Sequence, residues 1–259
     1  ITKKTKIICA VNLLGNSNNF TKIKKIAKKN KIILLEDNCE SMGAKFKEKF
    51  TGTIGLMGTF STFFSHHIST MEGGVVVTNN KELYHILLSL RAHGWTRDLP
   101  KENLITGKKS SDDFYESFNF VLPGYNVRPL EISGAVGIIQ LKKLKSFIKA
   151  RRENAMYFKS LFSNNTFVEI QEECGESSWF GFSLLIKKNS KFKRKAVIEL
   201  LKKNKVEVRP IVTGNFLKQP ALKYIYYKIS GNVNDADYID KNGIYIGNHP
   251  FDIKKKLKK

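Results

Sequence analysis

Cysteine is scarce in this sequence, and acidic residues are outnumbered. Three cysteines, Cys9, Cys39 and Cys174, lie far apart in 259 residues. Their number is odd, and their spacing fits neither a disulfide framework nor a zinc site. A reducing, cytoplasmic setting is the simplest expectation. No apolar run is long enough to span a bilayer, and no signal peptide is visible from Ile1 onward. Six prolines and 18 glycines are too few for a collagen-like or Pro/Gly-rich disordered chain.

Only 23 Asp and Glu stand against 45 Lys and Arg, a formal net charge of +22. Such an excess can mark a nucleic-acid or membrane surface. Here the lysines are scattered, and no basic stretch alternates with aromatics in a binding pattern. Neither nucleic acid nor membrane is therefore expected as a partner. The charge does favour attraction of an anionic small molecule such as a nucleotide-linked sugar. The lysine-rich run from Lys254 to Lys259 reads as a solvated or truncated end.

What is present suffices for a core. Hydrophobic residues make up 41% and aromatics 11%, enough for one large domain or two small ones. Lys6 to Asn12 reads as a buried strand, followed by a Gly/Asn-rich loop. Phe20, Ile23, Ile26 and Ala27 then recur at helical spacing. Ile32 to Glu36 is a second apolar strand. A strand–helix–strand unit of this kind predicts an α/β fold, a mainly parallel sheet with helices on both faces. Further strands fit Gly58 to Phe64 and Gly74 to Thr78, and Leu83, Ile86, Leu87 and Leu90 share one helix face. Asp98 to Asp113 reads as an irregular surface excursion. A long helix is expected over 129–162, linking a large domain (1–145) to a small α+β domain (146–259). In the latter, Phe180 to Ile186 and Val206 to Arg209 read as strands, and Lys193 to Lys203 and Ala236 to Asn242 as helices.

Four segments carry residues suited to chemistry. Glu36-Asp37-Asn38-Cys39-Glu40-Ser41 ends a parallel strand, where ligands of such sheets bind. Asp37 there either pairs with a cationic ring nitrogen or caps a turn. In Ser61 to Gly74 (STFFSHHISTMEGG), Ser61 and Ser65 offer hydroxyls to a phosphate. His66 or His67 is suited to general-base work, or both are hydrogen-bonded loop residues; no ligand spacing supports a metal. Arg91 to Arg97 (RAHGWTR) either faces a ligand through His93 or caps the preceding helix. Gly124-Tyr125-Asn126-Val127-Arg128 marks a turn whose Asn and Arg can reach a phosphate, reach a partner subunit or cap the next helix.

In this order and spacing, the four segments resemble the DegT-type family of sugar aminotransferases and dehydratases, over essentially the whole sequence. The resemblance implies the fold type I architecture of enzymes dependent on pyridoxal 5'-phosphate (PLP). It places Asp37 on the pyridine nitrogen, Glu40 at the ring hydroxyl, Ser61 on the phosphate, and Asn126 on the phosphate across a homodimer interface. The family's cofactor-binding lysine lies five residues after the serine and shortly before E-G-G, here Glu72-Gly73-Gly74. That position is His66. A lysine would hold the cofactor covalently; imidazole does not, but it moves protons. Members with this replacement are 3-dehydratases of nucleotide-linked 4-keto-6-deoxy sugars. His66 is then the acid and base, Asp37 its partner in catalysis, and His93, Arg128 and Arg209 contact substrate.

The resemblance further implies the pyridoxamine 5'-phosphate form of the cofactor and glutamate as amino donor. No iron–sulfur cluster is expected, because three scattered cysteines fall short of four ligands. GDP-4-keto-6-deoxy-D-mannose, on the route to colitose, is the expected substrate. The alternatives are a CDP-4-keto-6-deoxy-D-glucose 3-dehydratase, an aminotransferase relative, or a non-catalytic fragment that keeps the fold. Family members also carry a phosphate-cradling Gly-Ser/Thr loop and a stacking aromatic before the strand at Lys6. Neither is in this sequence, so an exposed sheet edge is expected there.

Overall fold

The computed structural model describes residues 1–258. The chain divides into two compact units: Ile1–Leu13 with Ser17–Leu144, and Leu14–Asn16 with the residues from Lys145 onward. In chain order the first unit holds β1 (Ile7–Val11), α1 (Phe20–Asn30), β2 (Ile33–Asp37), a hairpin of β3 (Lys45–Phe46) and β4 (Lys49–Phe50), β5 (Met57–Ser61), β6 (Gly74–Thr78), α2 (Lys81–Leu90), a second hairpin of β7 (Glu102–Asn103) and β8 (Gly107–Lys108), and α3 (Asp113–Glu116). The β7–β8 hairpin gives paired structure to a stretch that the sequence left irregular. Helix α4 (Glu131–Phe162) runs through the division between the units.

The sheet order is β1-β2-β5-β6. β1, β2 and β5 are parallel, and β6 returns antiparallel to β5. The register sets Val11 opposite Asp37 and Asp37 opposite Thr59, so three carboxyl-terminal strand ends align. Because side chains alternate along a strand, Ala10 and Leu34 point to one face, where they meet Phe20 of α1 with Ile8, Ile23, Phe46 and Ile54 around them. Asn19 starts α1 by accepting from the Lys22 N–H at 3.2 Å, and Lys31 stops it in the left-handed region at φ 53°.

The other face corrects the reading of the first strand as buried. Ile7, Val11, Ile33 and Val76 are exposed there, because nothing among the described residues covers that face. β1 is also an edge strand, in keeping with the sheet edge expected there.

The second unit contains β9 (Val168–Ile170), β10 (Gly181–Ile186), α5 (Arg194–Lys203), β11 (Val208–Arg209), α6 (Asn234–Asn242), β12 (Gly243–Gly247) and α7 (Lys254–Leu257). Its sheet, ordered β11-β12-β10-β9, is antiparallel throughout. Phe158 from the C-terminal half of α4 stacks on Phe182 at 4.2 Å, at the centre of a core with Trp179, Leu184, Ile244 and Ile246. Arg151, about two helical turns before Phe158, is buried and donates to the carbonyls of Phe180 and Asn248. Burial pushes its guanidinium down to about 10. Asn248 donates in turn to the carbonyls of Arg151 and Trp179. The Gly247 to Pro250 segment thus ties α4 to the sheet within this unit.

Candidate active site

β2 delivers Asp37 to the aligned strand ends, and the residue before it explains how that end is held. Glu36 is 2% exposed. Its Oε2 accepts from Gly52 N–H at 2.6 Å and Asn12 Nδ2 at 3.2 Å; its Oε1 accepts from the N–H groups of Ile54 at 2.6 Å and Gly55 at 2.7 Å. A buried carboxylate is tolerated when its oxygens are filled in this way. The 52–55 loop is thereby folded onto β2. Gly52 is needed at the fold: it has φ +83°, and a Cβ would sit 2.4 Å from the Phe60 ring. Asn12, also buried, donates to Asn38 Oδ1 at 3.1 Å, and Asn38 N–H bonds the Thr59 carbonyl at 2.9 Å. Sequence reasoning gave neither Glu36 nor Asn12 a role.

Asp37 itself is half-buried. Its Oδ1 accepts from the Cys39 N–H at 3.1 Å and from the Thr59 hydroxyl at 3.4 Å. The turn-capping role and the ring-partner role considered for Asp37 are therefore compatible. The Cys39 thiol lies 3.7 Å from the Thr59 hydroxyl. Burial and its bond to Asp37 push that thiol up to about 11, so it remains a neutral S–H near neutral pH and adds no second negative charge beside Asp37. Glu40 follows, half-buried, in the same turn.

β5 ends at Ser61, paired with Gly74 of β6. The Ser61 Oγ accepts from the Phe63 N–H at 3.2 Å, which leaves its own proton to donate. The loop between these strands is closed at its base. Thr62 N–H bonds the Gly73 carbonyl at 3.0 Å, Thr70 N–H bonds the Thr62 carbonyl at 2.8 Å, and the two threonine hydroxyls are 2.6 Å apart. Gly73, at φ +150°, fits because a Cβ there would lie 2.7 Å from both hydroxyl oxygens. Within the loop, His66 is half-buried and its ring meets Phe63 edge-on at 5.9 Å. His66 Nδ1 lies 2.8 Å from the Cys39 carbonyl oxygen. Asp37 and His66, 29 positions apart, are thus joined through one residue's backbone. His67 is buried at 2% exposure, as befits a structural neighbour.

His93 is exposed and sits in the left-handed region at φ 61°. Its N–H bonds the Tyr125 carbonyl at 2.8 Å, and Ala92 bridges Asn126. The segments of His93 and Asn126 therefore lie side by side. Gly94 N–H caps the Ser89 carbonyl at 2.8 Å, so the helix-capping reading of this segment holds as well. Trp95 has the Arg97 guanidinium over its ring, 4.0 Å from the centroid, and Phe120 stacked at 5.2 Å. Asn126 and Arg128 are exposed. Arg209 belongs to the second unit, where it forks onto Glu207 Oε1 at 2.6 and 2.8 Å. Among the described residues no group of three or more His, Cys, Asp or Glu is placed to hold a metal, and no helix is long and apolar enough to cross a membrane.

A mainly parallel sheet with a carboxylate at its strand ends, a serine and glycine pair beside it, and a small antiparallel unit make up the fold of PLP-dependent aminotransferases. Residues 1–254 match the DegT/DnrJ/EryC1/StrS aminotransferase family, and the chain belongs to that family. It is 61% identical, over all 259 residues, to the GDP-4-keto-6-deoxy-D-mannose 3-dehydratase of Yersinia pseudotuberculosis, of which it covers 66%. It superposes on E. coli GDP-4-keto-6-deoxy-D-mannose-3-dehydratase with bound hydrated PLP at a TM-score of 0.97 and 59% identity, covering 100% of this chain and 67% of that one. A histidine-to-asparagine mutant of GDP-4-keto-6-deoxymannose-3-dehydratase with bound GDP-perosamine gives the same score, identity and coverage. The chain thus spans just under two-thirds of the length of the curated relatives it matches.

Proposed function

We propose that the protein carrying this chain is a PLP-dependent 3-dehydratase of GDP-4-keto-6-deoxy-D-mannose, with His66 as its acid and base. The observation that carries the reading is the bond from His66 Nδ1 to Cys39, the residue whose N–H also fixes Asp37. It ties an imidazole to the turn that braces a strand-end carboxylate, and the resemblance to the family implies a lysine at that position. Likeness to dehydratases at about 60% identity supports the same substrate class.

The residues present fit the cofactor. Asp37, braced on one oxygen, offers its carboxyl group to a protonated pyridine nitrogen, and Ser61 keeps a proton for a phosphate oxygen. Glu40 is the proposed contact to the ring hydroxyl. Once bound, PLP, charged with an amino group from glutamate, supplies the electron sink that makes the C3–O bond breakable. His66 accepts a proton and returns it to the departing 3-hydroxyl. His93 and Arg128 bind the sugar nucleotide, whose diphosphate the chain's positive charge attracts. Arg209 is the candidate phosphate contact on its own unit.

A homodimer is part of the proposal. Tyr125, Val127, Leu130, Ile132, Ile138 and Leu141 are each more than half exposed, an apolar run of the kind that marks a protein interface. It adjoins Asn126, the residue assigned to a partner's phosphate. Three unpaired cysteines suit a reducing, cytoplasmic setting.

A histidine at position 66, where a lysine would hold the cofactor covalently, makes a chemical trapping test available. Borohydride treatment of the PLP-loaded protein is expected to leave the cofactor removable on denaturation. A stoichiometric phosphopyridoxyl-lysine peptide would contradict the reading.

A further inference from the structure

Neutral imidazole carries one N–H and one lone pair, and the hydrogen bond at one nitrogen decides the role of the other. His66 Nδ1 is 2.8 Å from the Cys39 carbonyl oxygen. A carbonyl only accepts, so Nδ1 carries the hydrogen, and the neutral ring has its lone pair on Nε2. That carbonyl is itself held. The Cys39 N–H is bonded to Asp37 Oδ1 at 3.1 Å, the Thr59 hydroxyl reaches Asp37 Oδ1 at 3.4 Å, and the Cys39 sulfur lies 3.7 Å from the same hydroxyl. On one side of Cys39, Asn38 N–H is fixed to Thr59; on the other, Ser41 N–H closes onto the Asn38 carbonyl at 3.1 Å.

Resting on the dehydratase reading above, we propose that Cys39 is a positioning residue whose backbone carbonyl holds His66 in its Nδ1–H tautomer. Nε2 is then the atom that takes the proton and gives it back. The proton balance closes without rearrangement. With the aminated cofactor bound, the Nε2 lone pair would accept the proton given up by its amine-bearing carbon, the C–H electrons would pass through the cofactor to the sugar as the C3–O bond breaks, and the ring becomes imidazolium. The Nδ1–H bond to the carbonyl becomes charge-assisted and strengthens. The Nε2–H bond then breaks toward the 3-oxygen, which departs as water. The ring returns to the tautomer in which it started, so successive turnovers need no proton shift between nitrogens. The thiol takes no part; Cys39 acts through its N–H toward Asp37 and its carbonyl toward His66.

The tautomer is directly observable. The whole chain is labelled with [15N]histidine, and long-range 1H–15N correlations are recorded at alkaline pH, where imidazole is neutral. The five histidines give five ring patterns, and the one missing from His66→Asn, or from His66→Gln should the first not fold, belongs to His66. We expect that pattern to show the bound proton on Nδ1 and the lone pair on Nε2. A majority Nε2–H form overturns the proposal. Cys39→Ala, which keeps both backbone groups, is expected to leave the pattern unchanged; a switch of tautomer in that variant also overturns it. Neither spectrum requires cofactor or substrate. An Nε2–H result therefore removes the positioning role and says nothing against the dehydratase reading. An inactive protein with Nδ1–H removes the dehydratase reading alone.

Discussion

Replacing His66 by asparagine is expected to lower 3-dehydration by about 10²–10⁴-fold, the usual contribution of a positioned acid–base group. PLP binding should change little. The asparagine amide nitrogen sits where Nδ1 sits and can donate to the same Cys39 carbonyl, so the loop keeps its anchor. Nothing then occupies the place of Nε2, and no group of suitable pKa remains to move the proton. His66→Gln places its amide nearer the Nε2 position and loses the anchor, so it should be at least as inactive and bind cofactor less well. Steady-state rates and a PLP titration on the two variants separate these effects. Turnover within a few fold of the parent in His66→Asn would remove His66 from the chemistry.

Glu36→Ala is expected to destabilise the first unit by about 3–5 kcal/mol. It strips the acceptor from three backbone N–H groups and the Asn12 amide; the Gly52 and Asn12 bonds are buried and those of Ile54 and Gly55 part-buried. Each orphaned buried donor costs about 1–3 kcal/mol, and neighbours on one carboxylate do not add fully. Glu36→Gln keeps the shape but offers one oxygen where two were used, so it should fall between alanine and the parent. Urea unfolding followed by circular dichroism gives the ordering. A loss below about 1 kcal/mol for Glu36→Ala would show that the carboxylate is not what binds the 52–55 loop to β2. The effect reaches the site because β2 carries Asp37 on the next residue.

The contrast between these two residues shows what a sequence displays and what it hides. The role proposed for His66 was legible because a local pattern framed it: a serine five residues before, Glu72-Gly73-Gly74 just after, and Asp37 at a strand end upstream. Strands β1, β2 and β6 and helices α2 and α5 were legible because apolar periodicity is local too. Glu36 was not, since three of its partners are backbone N–H groups 16 to 19 residues further along, which every residue has, and the fourth, Asn12, lies 24 residues back. The Cys39 carbonyl was hidden for the same reason. β12 (GIYIG) and β9 were missed because short strands closing an antiparallel sheet gain their identity from pairing with β10 rather than from composition. The exposed face of β1 escaped notice because an apolar run reveals alternation only once its covering layer is known.

Product analysis tests the central claim most directly. The protein carrying this chain is incubated with PLP, glutamate and GDP-4-keto-6-deoxy-D-mannose, and the sugar nucleotide is identified by mass spectrometry and NMR. The account predicts a 3-deoxy-4-keto sugar nucleotide, formed with one ammonia and one 2-oxoglutarate per glutamate consumed. A 4-amino sugar that keeps its 3-hydroxyl, or recovery of unchanged substrate, would contradict it.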